Sequence, residues 1–184
     1  MRLCFVTSSE NKLKEAESIL GFKIDKVNLD IKEIQSLDVE EIVKDKAEKA
    51  FDLARKPVMV EDTGFYIEAW KGFPGALIKW VLKTLGNDGL CRLLQDKNRT
   101  VIAKTCVCLY NGKESMVFCG EIRGKMPEKP LGQNGFGWDP IFMPQGLTKT
   151  FAQITPEEKD RISMRKIALV KMKDFLDKNP SSLN

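Results

Sequence analysis

Two adjacent carboxylates, Glu61 and Asp62, follow a short apolar run, Val58-Met59-Val60, in the stretch VMVEDTGFYIEAWKGFPGALIKW that covers residues 58–80. A run this short fits a buried strand, and the spacing predicts that it stops at Glu61-Asp62-Thr63-Gly64, with a separate strand from Phe65 to Ala69. Like charges so close repel, and burying either carboxylate is costly without a cation or hydrogen-bond donors to neutralise it. A hard divalent metal ion would meet that need; an acidic surface turn fits the stretch equally well. Gly64 allows a turn or a close backbone approach to a ligand, and Gly72, Pro74 and Gly75 form a second tight loop.

The composition narrows the chemistry. There is no histidine among the 184 residues, so a Ser/His/Asp triad or a His-ligated zinc site within this chain is excluded, and any catalytic base is Asp, Glu, Lys, Tyr or Cys. Thirty Lys and Arg against 26 Asp and Glu give a net charge of +4. These charges are dispersed, which favours a small anionic ligand over a polynucleotide. No linker or compositional break divides the chain, so residues 1–184 read as one domain. No apolar run is long enough to span a bilayer. The N-terminal MRLCFV carries no secretory pattern, and five cysteines without a paired framework agree with a reducing interior, so cytoplasm is the expected compartment.

The elements that must position the carboxylates follow from periodicity. Leu3 to Thr7 reads as a first strand and Leu13, Ala16 and Leu20 as a helix stopped by Gly21. Between them TSSENK offers Ser8 or Ser9 as a cap, with Lys12 in the first helical turn, where the dipole disfavours a cation unless an anion binds there. Val27, Leu29 and Ile31 alternate as a second strand leading to Glu33. Asp38 and Glu41 form a capping box, with a Leu37–Ile42 staple, for a helix that buries Val39, Val43, Ala47 and Ala50. Ile78 to Leu85 predicts a helix closed at Gly86, with Asp88 capping the next. Asn111-Gly112 predicts a two-residue hairpin loop between strands 100–110 and 113–122. That pairing places Val107, Leu109, Met116, Phe118 and Ile122 on the core face, and Cys106, Cys108 and Cys119 together on the other; a thiolate metal site there would lack a CxxC pair and a fourth ligand, so the three read as buried or half-buried thiols. Phe136-Gly137-Trp138-Asp139 closes a Gly/Pro-rich loop, where the rings either stack a planar ligand or pack a core corner. Thr155, Pro156 and Glu158 start a helix. Lys159 and Arg165 are six residues apart, roughly 240° around one straight helix, so a shared ligand requires a break near Arg161 to Ser163, with Ser163 as the second cap.

TSSENK, VEDTGFYIEAWKGFPGALIKW, GFGWDPIF and EEKDRISMR, in this order, resemble the inosine triphosphate pyrophosphatase family, which hydrolyses noncanonical purine nucleoside triphosphates. The resemblance spans essentially the whole chain. It implies an elongated, two-lobed α/β fold of the Maf/Ham type with a central mixed sheet flanked by helices and a cleft between the lobes, a homodimer, and a divalent metal, usually Mg²⁺. It implies that Asp62 is proton acceptor and metal ligand and that Glu33 is the second metal carboxylate. It gives the nucleotide to Thr7, Ser8, Ser9, Glu10, Asn11, Lys12, Thr63, Phe136, Gly137, Trp138, Asp139, Lys159, Met164 and Arg165. Two positions depart from the family pattern: Ser9 stands where Asn is common, and Met164 where His is usual. On this reading Asp62, or Glu61 through a water, activates the attacking water. Arg165 would donate to a 6-keto base, and Phe136 or Trp138 would stack on it. The alternatives are a septum-inhibitor (Maf) type pyrophosphatase, a nucleic-acid-binding module and a nucleotide sensor without turnover.

Overall fold

A computed structural model describes residues 3–183, and its architecture is set by three long strands. β3 (Val58–Ile67), β5 (Thr100–Tyr110) and β6 (Ser115–Lys125) pair antiparallel along nearly their whole lengths. β1 (Cys4–Val6) joins the other edge of β3 in parallel and carries β2 (Asp25–Val27), also parallel. Two-residue strands β4 (Pro74–Gly75) and β7 (Met143–Pro144) pair with β3 and β6, completing a mixed seven-stranded sheet of order β2-β1-β3-β5-β6-β7, with β4 beside β3.

Helices cover both faces, and strand alternation assigns the side chains between them. On one face α2 (Val39–Ala54) buries Val39, Val43, Ala47 and Ala50 against Val58, Val60, Cys106 and Cys108. On the other, α1 (Glu10–Leu20) and α5 (Met164–Lys178) bury Ala16, Leu20, Ala168, Leu169 and Met172 against Phe5, Met59, Val107 and Leu109. α5 lies tightly on β6: a Cβ at Gly120 would stand 2.0 Å from the Met164 carbonyl oxygen, so that crossing needs a glycine. A third cluster, Phe65, Ile67, Leu90, Phe142 and Phe151, joins the far end of β3 to α3 (Ile78–Leu93) and the 3₁₀ turns that follow β6.

The helix punctuation behaves as the sequence reads. Ser9 caps α1 through the Lys12 N–H, and Gly21 ends it at φ 83°. Gly86, at φ 66° and ψ 177°, breaks α3. Thr155 and Glu158 form a reciprocal capping box on α4 (Pro156–Ile162), and Ser163 caps α5 through the Lys166 N–H, so the chain turns where Lys159 and Arg165 require it.

Several expectations need correction. β3 does not stop at Glu61: β5 pairs with it from Val58 to Ile67, so Glu61 to Gly64 are mid-strand and no separate strand begins at Phe65. β2 ends at Val27 because β1 offers only three partners; Leu29 and Ile31 still pack on the α2 side, so their alternation records burial and not pairing. Asp38 caps α2 through the Glu40 N–H, while Glu41 accepts from Ser36, so the capping box does not form. The hairpin loop has four residues, with Tyr110 opposite Ser115, because Asn111 Oδ1 accepts from the N–H groups of both Lys113 and Glu114. The two-residue difference preserves which face each side chain takes but brings Cys106 directly opposite Cys119. These two form a disulfide, so not all the cysteines are free thiols.

Candidate active site

The sheet is incomplete at one place. β5 holds one edge of β3 throughout, whereas the other edge meets β1 at Val58 and Met59 and β4 at Phe65 and Tyr66. Val60 to Gly64 therefore have no strand partner on that edge among the described residues. The opening lies beyond the carboxyl end of β1, where crevices of open α/β sheets take their ligands.

Asp62 lies at this opening. Its Oδ1 accepts the Thr63 N–H at 2.8 Å, and among the described residues this is the carboxylate's only hydrogen bond. Burial pushes its pKa up and Glu33 adds to the rise, against the Thr63 N–H, Lys46 and Lys12. Glu33 is half exposed and ion-paired with Lys46 of α2 at 2.5 Å. The two carboxylates thus share one ammonium, and Asp62 keeps an oxygen uncommitted. Carboxylate oxygens under mutual repulsion suit a hard divalent ion, so Glu33 and Asp62 fit the metal role.

Glu61 has a different environment, because neighbouring residues of a strand face opposite ways. It is 5% exposed and lies toward α1 and α5. Lys12 Nζ is 2.9 Å from its Oε1, and Arg165 Nε reaches both oxygens at 3.0 and 2.9 Å. Burial raises the Glu61 pKa, but Arg165 and Lys12 outweigh it and hold the carboxyl at about 2. Such a group stays ionised and paired with Lys12 and Arg165. Arg165 Nη1 also donates to Glu15 at 3.0 Å. Two cations and two carboxylates are thereby locked together, with Arg165 Nη2 outside these bonds.

Facing this cluster is the loop before β7. Asp139 is buried and its Oδ2 accepts the Phe136 N–H at 2.8 Å and Lys159 Nζ at 2.6 Å, tying the loop to α4. Lys159 Nζ sits 4.9 Å from the Phe136 ring centroid, and that ring is 71% exposed. Trp138 instead packs on Phe65, Phe142 and Phe151 at centroid distances of 5.0, 5.4 and 6.3 Å. Of the two rings, Trp138 builds the corner and Phe136 is free to stack. Gly137 adopts φ 64° and its carbonyl accepts from Asn87 Nδ2.

A cleft of about 820 Å³ runs past Asn11, Phe136, Lys159 and Arg165. It shares the last three with a recess of about 110 Å³ that reaches Lys12, Asp62, Thr63, Trp138, Asp139 and Met164. Thr63 Oγ1 is bonded to Thr105 Oγ1 at 2.8 Å. Thr7, Ser8, Ser9, Glu10 and Glu33 line neither cavity. Thr7 Oγ1 accepts the Ser9 N–H, and Glu10 pairs outward with Lys26. The Met164 side chain is buried in the core, leaving only its backbone for a ligand.

Sequence reasoning missed Glu15, Lys46 and Asn87. Glu15 was within reach, being three residues after Lys12 on one helical face. Nothing local marks Lys46 or Asn87, whose roles depend on contacts 13 and 50 residues away.

Fold and cleft together define an α/β protein whose recess, lined by Lys12, Asp62, Lys159 and Arg165, opens beside an unpaired stretch of its central strand. A Ham1 family model matches residues 3–175, and the chain belongs to that family. It is 39% identical over 183 residues to a dITP/XTP pyrophosphatase of Thermococcus kodakarensis, covering 97% of this chain and 99% of that one. It is 40% identical over 182 residues to an inosine triphosphate pyrophosphatase of Aspergillus fumigatus, covering 96% and 95%. A solved HAM1 protein of Coxiella burnetii shares the fold with a TM-score of 0.85 at 24% identity, covering 97% and 99%.

Proposed function

We propose that this chain hydrolyses noncanonical purine nucleoside triphosphates, ITP, dITP and XTP, to the nucleoside monophosphate and pyrophosphate, removing them from the nucleotide pool. The observation that carries the reading is the joined cleft in which Asp62, with an uncommitted oxygen and a pKa raised by burial, stands within reach of Lys12, Lys159 and Arg165. The pyrophosphatases of Thermococcus and Aspergillus support it.

Glu33 and Asp62 would hold Mg²⁺, which supplies neutralisation of phosphate charge when bound. Asp62 takes the proton of the attacking water. Lys12 and Lys159 face the charge that develops on the departing pyrophosphate, in the order expected for phosphoryl chemistry governed by positioning and electrostatics. The α1 entry, Thr7 to Asn11, would approach the phosphates from the rim, with Asn11 the one residue of the five on the cleft wall. Phe136 stacks on the base, and Arg165 Nη2 donates to its 6-keto oxygen; adenine, with an amino group there, leaves that donor unpaired. We read residues 1–184 as one catalytic domain in the cytoplasm, with a small-molecule partner and neither nucleic acid nor membrane. Among the described residues no helix is long and apolar enough to cross a membrane. A homodimer would cover the exposed apolar groove of Phe73, Trp80, Leu85 and Leu93.

The test is pyrophosphate release from ITP, dITP, XTP, GTP and ATP, with Mg²⁺ and with chelator, for the native protein and Asp62→Asn. Metal-dependent release from the first three, lost in Asp62→Asn, is expected. Equal turnover of ATP, or full activity in the variant, would remove the reading.

A further inference from the structure

The α2-covered face of the sheet, which also bears Asp62, carries a second constellation that the nucleotide cleft does not use. Register places Asp62, Cys106 and Cys119 in one row across β3, β5 and β6, on the face covered by α2. The first turn of α2 brings Glu40 above this row. The two sulfurs and a Glu40 carboxylate oxygen all lie within 4.8 Å of one another, the only such group of three potential metal ligands among the described residues. Cys106 is buried and Cys119 half-buried, so the cluster has a floor and an open side. Lys104 Nζ holds Glu40 at 2.5 Å and Glu121 at 3.5 Å, so Glu40 can leave the ammonium without leaving it unpaired.

We propose that Cys106, Cys119 and Glu40 form a soft divalent-cation site of the Zn²⁺ class, closed while the disulfide is intact and opened by its reduction. In the disulfide the sulfurs carry no thiolate charge, and the site has one charged ligand. A dithiol reductant supplies two electrons and two protons, so the S–S bond breaks to two thiols and the reductant is left as its own disulfide. Cation binding then releases those two protons to solvent as both thiolates coordinate. Sulfurs sharing a tetrahedral ion at about 2.3 Å stand about 3.8 Å apart. Side-chain rotation accommodates this on strands whose Cα atoms are 4.2 Å apart. Glu40 is the third protein ligand, and the open side leaves a fourth position for water. Thiolate ligands select Zn²⁺ over Mg²⁺, whereas Glu33 and Asp62, with oxygen donors alone, make the opposite choice. The chain therefore carries a hard site and a soft site on the same face of one sheet.

The experiment uses Co²⁺ as a spectroscopic probe on the metal-stripped 184-residue protein, before and after phosphine reduction, with the thiol count read for each sample. Reduced protein should bind one Co²⁺ with a thiolate-to-metal charge-transfer band in the near ultraviolet, displaced by Zn²⁺ and not by excess Mg²⁺. The oxidised protein and Cys119→Ser should lack the band, and Cys91→Ser should keep it. Glu40→Gln should weaken binding by about tenfold or more. Cys119 is half-buried and its Ser variant conserves volume, so a folded variant is available where Cys106→Ser fails. Absence of the band in the reduced native protein overturns the proposal, and so does its persistence in Cys119→Ser or its loss to Mg²⁺. Because the readout is absorption, it stands whether or not the protein hydrolyses ITP.

Discussion

Glu61→Gln removes one charge and almost no volume from between Lys12 and Arg165, so its effect isolates the electrostatic lock. The carboxyl is held at about 2 against an ordinary 4.5. At about 1.4 kcal/mol per pH unit, this corresponds to a preference of about 3 kcal/mol for the charged form in the folded chain. Breaking a buried ion pair from one side costs about 3–5 kcal/mol by general experience, which agrees. We therefore expect Glu61→Gln to lose about 3 kcal/mol, measured by urea unfolding of metal-free protein at pH 7 with the disulfide intact. The sign with pH follows. Because the folded pKa lies below the unfolded one, the contribution is complete above about 4.5 and disappears as pH falls toward 2, so the native protein and the variant should converge in acid. A loss below about 1 kcal/mol at pH 7, or a gap that does not narrow on acidification, would refute the account of Glu61 as an ionised anchor.

Phe136→Ala should leave urea stability unchanged, since the ring is 71% exposed, and should raise KM for ITP roughly 5- to 100-fold if the ring stacks on the base. An unchanged KM in steady-state kinetics would return that role to Trp138. Gly120→Ala should destabilise by about 1–3 kcal/mol or more in urea unfolding, because the new Cβ would stand 2.0 Å from the Met164 carbonyl oxygen; a neutral outcome would mean that α5 sits further from β6. Burial raises the thiol pKa of Cys4, Cys91 and Cys108, the last to about 12, and alkylation needs the thiolate. All three should resist an alkylating reagent at pH 8 in the folded protein and react on unfolding, as followed by intact mass.

Local chemistry was legible in the sequence, and pairing was not. Ser9, Thr155 and Ser163 announce helix starts because a cap bonds its own next turn, and the break before Met164 followed from Lys159 and Arg165 alone. The fold class and the cluster of Lys12, Asp62, Phe136, Lys159 and Arg165 followed from the motifs. By contrast, whether Val58 to Val60 continues depends on β5, more than 40 residues away, and Leu29 and Ile31 alternate without a partner strand. The Cys106–Cys119 bond depended on two residues of loop length. Alternation across a single strand was the costliest omission: it separates Glu61 from Asp62, so two carboxylates that looked like one site became an anchor and a base candidate.

That separation explains why the site can be both rigid and open. β1 ends at Val6 because Thr7, Ser8 and Ser9 turn into α1, and β4 is only two residues long. A longer β1 would pair with Val60 to Gly64 and cover the approach to Asp62. A β3 without β5 would leave Asp62 on a loop, where side-chain positions are less tightly defined. Full pairing on one edge and a gap on the other hold the carboxylate on a fixed strand while leaving a way in. The neighbouring Glu61, turned to the opposite face, ties Lys12 from α1 and Arg165 from α5 to the same strand. Two helices that approach from opposite ends of the chain are thereby referred to one strand, and any shift of α5 must first break a buried ion pair.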